Sequence, residues 1–336
     1  MKLRTSLVLA VAPVTLLAAC GGGGSGGIAS TPTPAPAPAQ SPPADPEPPV
    51  AQFAPKPAQI FTAPLYNDNL AVLGQAWEHE ALPNSSASLS NARNVREAGG
   101  FAVTYDATGG NYVMTAPIAG SGTVYQISDG GEFEPGASFA AVLADNAAEA
   151  AGKPGEMRIW PAGGSARDFS YVSFAEFYAS APAGASLETV AYGSMAIIQP
   201  TRPGEVPTTG SASYHGFLVG FFGGDPGGSW VEGRSRLDFD FAKGSLSGEL
   251  TARMVCMMGC AYDDQLYTLA DTHFARGATE FGGSLMTAGA PSAGTFAGMF
   301  AGPDASELAA QFQLPFFNQD FHKWVPVSGV IIGKGP

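Results

Sequence analysis

Charge is scarce in this sequence. Of its 336 residues only 13% are Asp, Glu, Lys or Arg, and the 16 basic residues face 29 acidic ones, for a net charge of -13. A surface of that sign repels phosphate backbones, which argues against nucleic acid as a partner. A basic protein or a cation is electrostatically the easier partner. Histidine is scarcer still: His79, His215, His273 and His322 are the whole complement, and none is paired at a metal-ligand spacing. Three familiar signatures are missing: the Gly-x-Ser-x-Gly elbow, the phosphate-binding loop and the dinucleotide fingerprint. No acid–base pair or nucleophile constellation stands out. The residues therefore point to a non-enzymatic protein, with no cofactor and no metal expected.

A long 3.6-residue apolar period is also lacking, while Gly reaches 44 residues and Pro 28. Few charges, many turn formers and no helical pattern together indicate an all-β protein. The one sustained apolar run, 7–17, is too short to span a bilayer comfortably and follows Lys2 and Arg4. It ends in Leu17-Ala18-Ala19-Cys20, a bacterial lipobox in which Cys20 supplies the thiol for acylation. An ordinary signal peptide with an incidental cysteine is the plainer alternative. Residues 1–19 are thus expected to be a lipoprotein signal peptide, with Cys20 the lipidated (palmitate-type) residue. Acyl chains anchor strongly, each buried CH₂ contributing about 0.8 kcal/mol. The following Gly21, where Asp would favour inner-membrane retention, points to the outer membrane and exposure on the cell surface.

Residues 20–57 read as the lipidated cysteine and a tether. GGGGSGG is flexible, and TPTPAPAPAQSPPADPEPPV favours extended polyproline II at ~3.1 Å per residue. A β-rich region is expected over 58–206. There VTYDATGGNYVMT reads as a hairpin, 171–180 and 188–198 as strands, and the alanine-rich 138–152 as a short helix. From 207 to 336 the pattern is that of about eight short antiparallel strands, enough for a small closed barrel. The strand candidates are 211–222, the Trp230 region, 235–242, 245–254, THFARGA, EFGGSLMT, GTFAGMFAG, AQFQLPFF and VSGVIIG. GFFGGDPGGSW (220–230) reads as a hairpin loop.

Within 294–302, Gly294, Phe296, Gly298, Phe300 and Gly302 occupy every second position. Inside an eight-stranded barrel there is barely room for side chains. A face alternating glycine with phenylalanine lets a ring from one strand lie over a glycine on its neighbour. Asp304 and Glu307 stand at capping-box spacing, predicting a single capped helical turn. A transmembrane barrel is the competing reading of such alternation. It is disfavoured by the lipobox and by strands mostly shorter than the roughly 9–11 residues a span needs.

The stretches GSASYHG, LDFDF, GSLSG and GTFAGMFAGPDASEL together resemble the β-barrel domain of transferrin-binding protein B, and are similar to the related barrel of factor H binding protein. The likeness covers about 207–336 well and 95–206 weakly. Ala309-Ala310 stand where that family usually has Gly-Gly, which bears on the local turn. The resemblance implies a β-rich, handle-like N-terminal region before the barrel, and a surface lipoprotein serving iron or haem acquisition. It carries no ligand contact onto any residue here.

Cys256 and Cys260 lie between two strand candidates. Outside the cytoplasm so close a pair reads as a disulfide stapling a hairpin tip. The sharper alternative is a soft-metal site of both thiols with Met257 and Met258. Tyr262, Asp263 and Asp264 beside them offer oxygen ligands to a cation, or are simply solvated. Two functions remain open. One is a receptor lipoprotein that binds a soluble protein, haem or an iron carrier and feeds an outer-membrane transporter. The other is a structural or interaction lipoprotein of the envelope with no nutrient ligand.

Overall fold

A computed structural model describes residues 70–81, 93–94, 102–106, 111–116, 123–127, 140–143, 155–160, 169–182, 188–223, 229–256 and 262–336. Cys20, the tether and Cys260 lie outside these residues. The described chain is built of strands. In order they are β1 (Ala71–Ala81), β2 (Arg93–Asn94), β3 (Ala102–Asp106), β4 (Asn111–Ala116), β5 (Thr123–Ile127), β6 (Ala140–Leu143), β7 (Gly155–Trp160), β8 (Val172–Pro182) and β9 (Glu188–Ile198). Then come β10 (Ser211–Phe222), β11 (Ser229–Asp240), β12 (Ser245–Cys256), β13 (Gln265–His273), β14 (Glu280–Met286), β15 (Gly294–Ala301), β16 (Glu307–Asn318) and β17 (Lys323–Lys334).

Strands β10 to β17 form a closed antiparallel barrel in sequence order, β17 pairing back onto β10. Before it stand a six-stranded sheet, ordered β2-β1-β9-β8-β7-β6, and a three-stranded meander, β3-β4-β5. The expected 102–116 hairpin is present as β3 and β4. Of the helix expected over 138–152, the described part is not helical: Ala140–Leu143 is a strand paired with β7, and the rest lies outside the described residues. A sheet edge able to satisfy those backbone groups overrides weak alanine propensity.

The alternation of rings and glycines is resolved by the register of β14 and β15. Phe281 pairs with Gly298 and Gly283 with Phe296, so each strand gives the other one ring and one gap. A Cβ built on Gly298 would meet the Phe281 ring at 2.6 Å, and one on Gly283 would meet the Phe296 ring at 3.0 Å. Behind this interlock Phe239 is the hub. Its centroid lies 4.8 Å from Phe300, 5.0 Å from Phe281 and 5.2 Å from Phe274. Phe296 and Phe300 are 4% and 0% exposed, so the lumen is packed with side chains. Each such ring stabilises by roughly 1.5–3 kcal/mol on burial.

Two strand expectations need correction. The Trp230 region and 235–242 are one strand, β11, whereas only Thr272 and His273 of THFARGA belong to a strand, β13, which begins at Gln265. The merger takes the nine candidates to eight, and the shift to β13 leaves that number unchanged. Strand β10 has the expected bounds, but others are longer than expected: β11, β12, β16 and β17 have 12 residues each. Strand length therefore does not argue against a membrane span. Outward charge does. Glu232, Arg234, Arg236 and Asp238 alternate with inward Val231, Ser235, Leu237 and Phe239 along β11. Glu232 and Asp238 are held by Arg253 and Arg236 at 2.6 and 3.1 Å. A lipid-facing surface needs an apolar band at those positions.

The six-stranded sheet lies over the outer face of β10, β16 and β17. Its clasps are specific. Trp77 Nε1 donates to the Phe221 carbonyl at 3.0 Å and Tyr192 Oη to the Phe222 carbonyl at 2.7 Å. The chain leaving β9 then stitches onto the barrel end: Thr201 N–H donates to Phe300 O at 3.0 Å, and Gly302 N–H to Gln199 O at 2.9 Å. Gly302 has φ 71°, and a Cβ there would strike the Tyr171 ring at 2.3 Å.

The capping box does not form. Pro303–Ala305 is a single 3-10 turn with no side-chain cap, and Asp304 sits inside it at φ 54°. Glu307, expected to complete the box, is instead 1% exposed and turned to the sheet side. Its Oε1 accepts the Ser170 N–H at 2.6 Å and its Oε2 the Tyr171 N–H at 2.9 Å. Burial pushes this carboxyl above the ordinary 4.5, opposed by those N–H groups and by Lys334. Ala309 and Ala310 lie inside β16 and are fully buried, so the departure from Gly-Gly falls within a strand and not at a turn.

Candidate functional site

The barrel has two unlike ends. At one end the chain turns tightly through 241–244, 274–279 and 302–306. Tyr214 Oη donates there to the Ala305 carbonyl from a buried position. At the other end the connections are 223–228, 257–264, 287–293 and 319–322.

The loop end closes on itself by side chains. Strands β14 and β15 are short, and β15 pairs with β16 only as far as Gln313, so β16 runs on above them. Its unpaired backbone is met from across the mouth by β13. Gln265 Nε2 donates to Phe317 O at 2.7 Å, while Phe317 N–H donates to Gln265 Oε1 at 3.0 Å. One amide side chain thus replaces a missing strand. Two residues on, Tyr267 Oη donates to Pro315 O at 2.7 Å.

This brace brings two connections together. Tyr262 Oη donates to Asp320 Oδ2, and that bond, with some burial, raises the phenol above its ordinary value. Gln319 Nε2 lies 3.5 Å from Asp263 Oδ2. The 319–322 tip is fixed from below, since buried Asn318 Oδ1 accepts the Phe321 N–H at 3.1 Å. Phe321 is held out of the fold at 68% exposure, with Lys323 Nζ 5.3 Å from its ring centroid. Leu266 at the start of β13 and Met286 at the end of β14 are 51% and 46% exposed. All three exposed large apolar side chains among the described residues are therefore at this one end. Exposed Asp263, Asp264 and Asp320 stand with them. On the outer side an open groove of about 300 Å³ runs between Pro291–Thr295 and Trp324–Pro326. Trp324 is steadied by Phe317, the ring centroids being 5.4 Å apart. Apolar anchors beside carboxylates suit contact with a partner surface or a cationic solute.

The residues singled out in the sequence are distributed differently. Cys256 ends β12 at this same rim and is disulfide-bonded, while Cys260 lies outside the described residues. His215, His273 and His322 are exposed and lie on β10, on β13 and in the 319–322 tip. His79 belongs to β1. Among the described residues no three His, Cys, Asp or Glu side chains group closely enough to hold a metal ion. Reading the sequence missed Phe321, although NQDFHK, a polar tip with one ring between two alternating runs, carries the signal.

The deeply buried phenols of Tyr214 and Tyr267 give a pH test of this packing. Burial raises both well above 10.0. A raised acid stabilises the fold below its unfolded value, and that contribution is lost as pH rises. Alkaline titration by absorbance at 295 nm (~295, the ordinary phenolate band) is expected to leave two tyrosines un-ionised until the protein unfolds above pH ~10. Smooth titration of all tyrosines in the folded state would contradict it.

The fold is that of an all-β protein with a flanking sheet and a closed eight-stranded barrel. No protein-family model matches the sequence, and no curated protein does. Solved structures similar to it include a double mutant of transferrin-binding protein B from Haemophilus parasuis, at 15% identity and TM-score 0.40, covering 78% of this chain and 45% of that one. Transferrin-binding protein B from Neisseria meningitidis matches at 16% identity and TM-score 0.33, covering 79% and 44%. A surface lipoprotein matches at 13% identity and TM-score 0.31, covering 79% of this chain and 99% of that one. The chain spans less than half the length of the transferrin-binding proteins it matches. These structures are of the kind that the sequence resembles, and the fold itself rests on the strand register.

Proposed function

We propose that this chain is a lipid-anchored outer-membrane protein, exposed on the cell surface, that binds a soluble partner through the loop end of its barrel and catalyses nothing. The supporting observation is an asymmetry. The lumen is filled by rings, while Phe321, Leu266 and Met286 are left exposed at one rim beside Asp263, Asp264 and Asp320. The finer reading, that the partner is haem, an iron carrier or a protein holding iron and that cargo passes to an outer-membrane transporter, draws on the resemblance to transferrin-binding protein B. Cys20 supplies the membrane attachment in this account.

Pairing Phe321→Ser with Asp320→Lys is expected to weaken partner binding at least about tenfold, roughly 1.4 kcal/mol, with little change in Tm. The partner is first identified by native mass spectrometry of the chain purified from its own host under iron limitation. Unchanged affinity in the double variant would rule out this rim. An envelope protein recovered with no solute would favour the interaction lipoprotein instead. We further propose that Cys256 pairs with Cys260 and staples the 257–264 connection. Thiol titration of the unfolded, unreduced protein should then find neither cysteine free; two reactive thiols would refute the pairing.

A further inference from the structure

The contact between sheet and barrel changes character along its length. Toward the loop end it is aromatic, with Tyr192 edge-on to Phe221 at 6.1 Å and Trp77 bonded to the Phe221 carbonyl. Toward the tight-turn end it is aromatic again, Phe169 and Phe174 standing edge-on to Phe217 at 5.9 and 6.1 Å. Between these clasps the sheet row turns polar, and the barrel row mixes valine with glutamine. On the sheet, register aligns Gln75, Ser194 and Glu176 across β1, β9 and β8. Ser194 follows Tyr192 by two residues and so shares its barrel-facing side. On the barrel the matching row is Val219, Val330 and Gln311 across β10, β17 and β16. Ser328 lies two residues from Val330 on the same outward face.

Three of these side chains are deeply buried: Ser194 at 0%, and Gln311 and Ser328 at 2% exposure. Ser194 Oγ, Gln311 Nε2 and Ser328 Oγ have no hydrogen-bond partner within the protein. Native proteins leave few such atoms unpaired, and ordered water is the usual partner where polar groups converge in an interior. An isolated unpaired serine has many explanations. Three unpaired groups on the facing sides of two layers, Gln311 in the middle row and Ser328 beside Phe221 one residue pair nearer the loop end, have a common one.

We propose that the seam from this middle row to Ser328 is a water-binding slot, in which ordered water bridges Ser194 on the sheet to Gln311 and Ser328 on the barrel. The sheet is then held by dry aromatic contacts at both ends and by water between them. Oxygen-17 relaxation dispersion of the purified full chain tests this, because it counts long-lived internal water. Ser194→Val with Ser328→Val is expected to remove at least one water equivalent from the dispersion amplitude. Should that pair of changes unfold the protein, Ser328→Ala alone is expected to reduce the amplitude. Wild-type amplitude in the folded variant would overturn the proposal. So would a rise in Tm for both Ser194→Ala and Ser328→Ala, since deleting an unpaired hydroxyl from a dry seam relieves a cost, whereas deleting one from a hydrated slot does not.

Discussion

Replacing Gly298 by valine is expected to cost at least about 3 kcal/mol, the upper end of the overpacking range, and to lower Tm by about 6–12 °C. A Cβ at Gly298 would lie 2.6 Å from the Phe281 ring and equally close to the Ala309 carbonyl oxygen. The ring can turn aside, but the carbonyl belongs to the β15–β16 ladder and cannot. Phe281→Leu combined with Gly298→Ala should therefore recover only part of the loss. Thr295→Val, on the outward exposed face of the same strand, should stay within about 0.5 kcal/mol. Chemical denaturation of the three variants and the wild type checks the set. If Gly298→Val and Thr295→Val cost the same, the interlock of rings and glycines is not what packs the lumen.

The second large effect belongs to Glu307. Changing it to alanine should destabilise by about 3 kcal/mol, because the buried N–H groups of Ser170 and Tyr171 lose their acceptors together. Glu307→Gln keeps one carbonyl oxygen and should lose less. The pH dependence separates the carboxylate from mere bulk. Since burial raises this carboxyl above 4.5, the folded state takes up a proton before the unfolded state does. Its contribution to stability therefore grows as pH falls from neutral toward 4.5, and shrinks as pH rises through the folded value. Urea midpoints of the wild type and of Glu307→Ala, compared across that window, should diverge more at the acid end. Parallel curves would show that Glu307 is ionised there without strain.

Much of the barrel could be read from residues alone because its signal is local. Leu237, Phe239 and Phe241 alternate with Asp238 and Asp240, and all three apolar side chains are buried. Gly294 to Phe300 alternate by size, and the register of β14 against β15 is the consequence. Strand β13 escaped notice because its alternation is inverted. Gln265 and Tyr267 point across the mouth to bond the β16 backbone, while Leu266 faces water. A period-2 rule based on hydrophobicity is misled at the start of such a strand, where polar Gln265 points inward and Leu266 outward, although Tyr267 and Leu269 then face the core. Glu307 misled for a related reason: its spacing from Asp304 fits a helix cap, but its acceptors serve residues 136 and 137 positions away in sequence. Helix was the wrong expectation for 140–143 because alanine content is silent about which sheet edge lies nearby. Of the loop end, the Cys256 connection and the Tyr262–Asp264 segment were legible as loops. Their meeting with Asp320 and Phe321 depends on the long overhang of β16, which is a property of register and not of composition.

Binding at the loop end follows from a barrel interior that is full, so that a ligand has to be held outside it. Crystals of the folded protein pressurised with xenon test this most directly, because xenon enters apolar voids that water leaves empty. No xenon site should appear among Phe239, Phe281, Phe296 and Phe300. An ordered xenon atom among those four rings would reveal a usable interior cavity, and a ligand site inside the barrel would then replace the loop end.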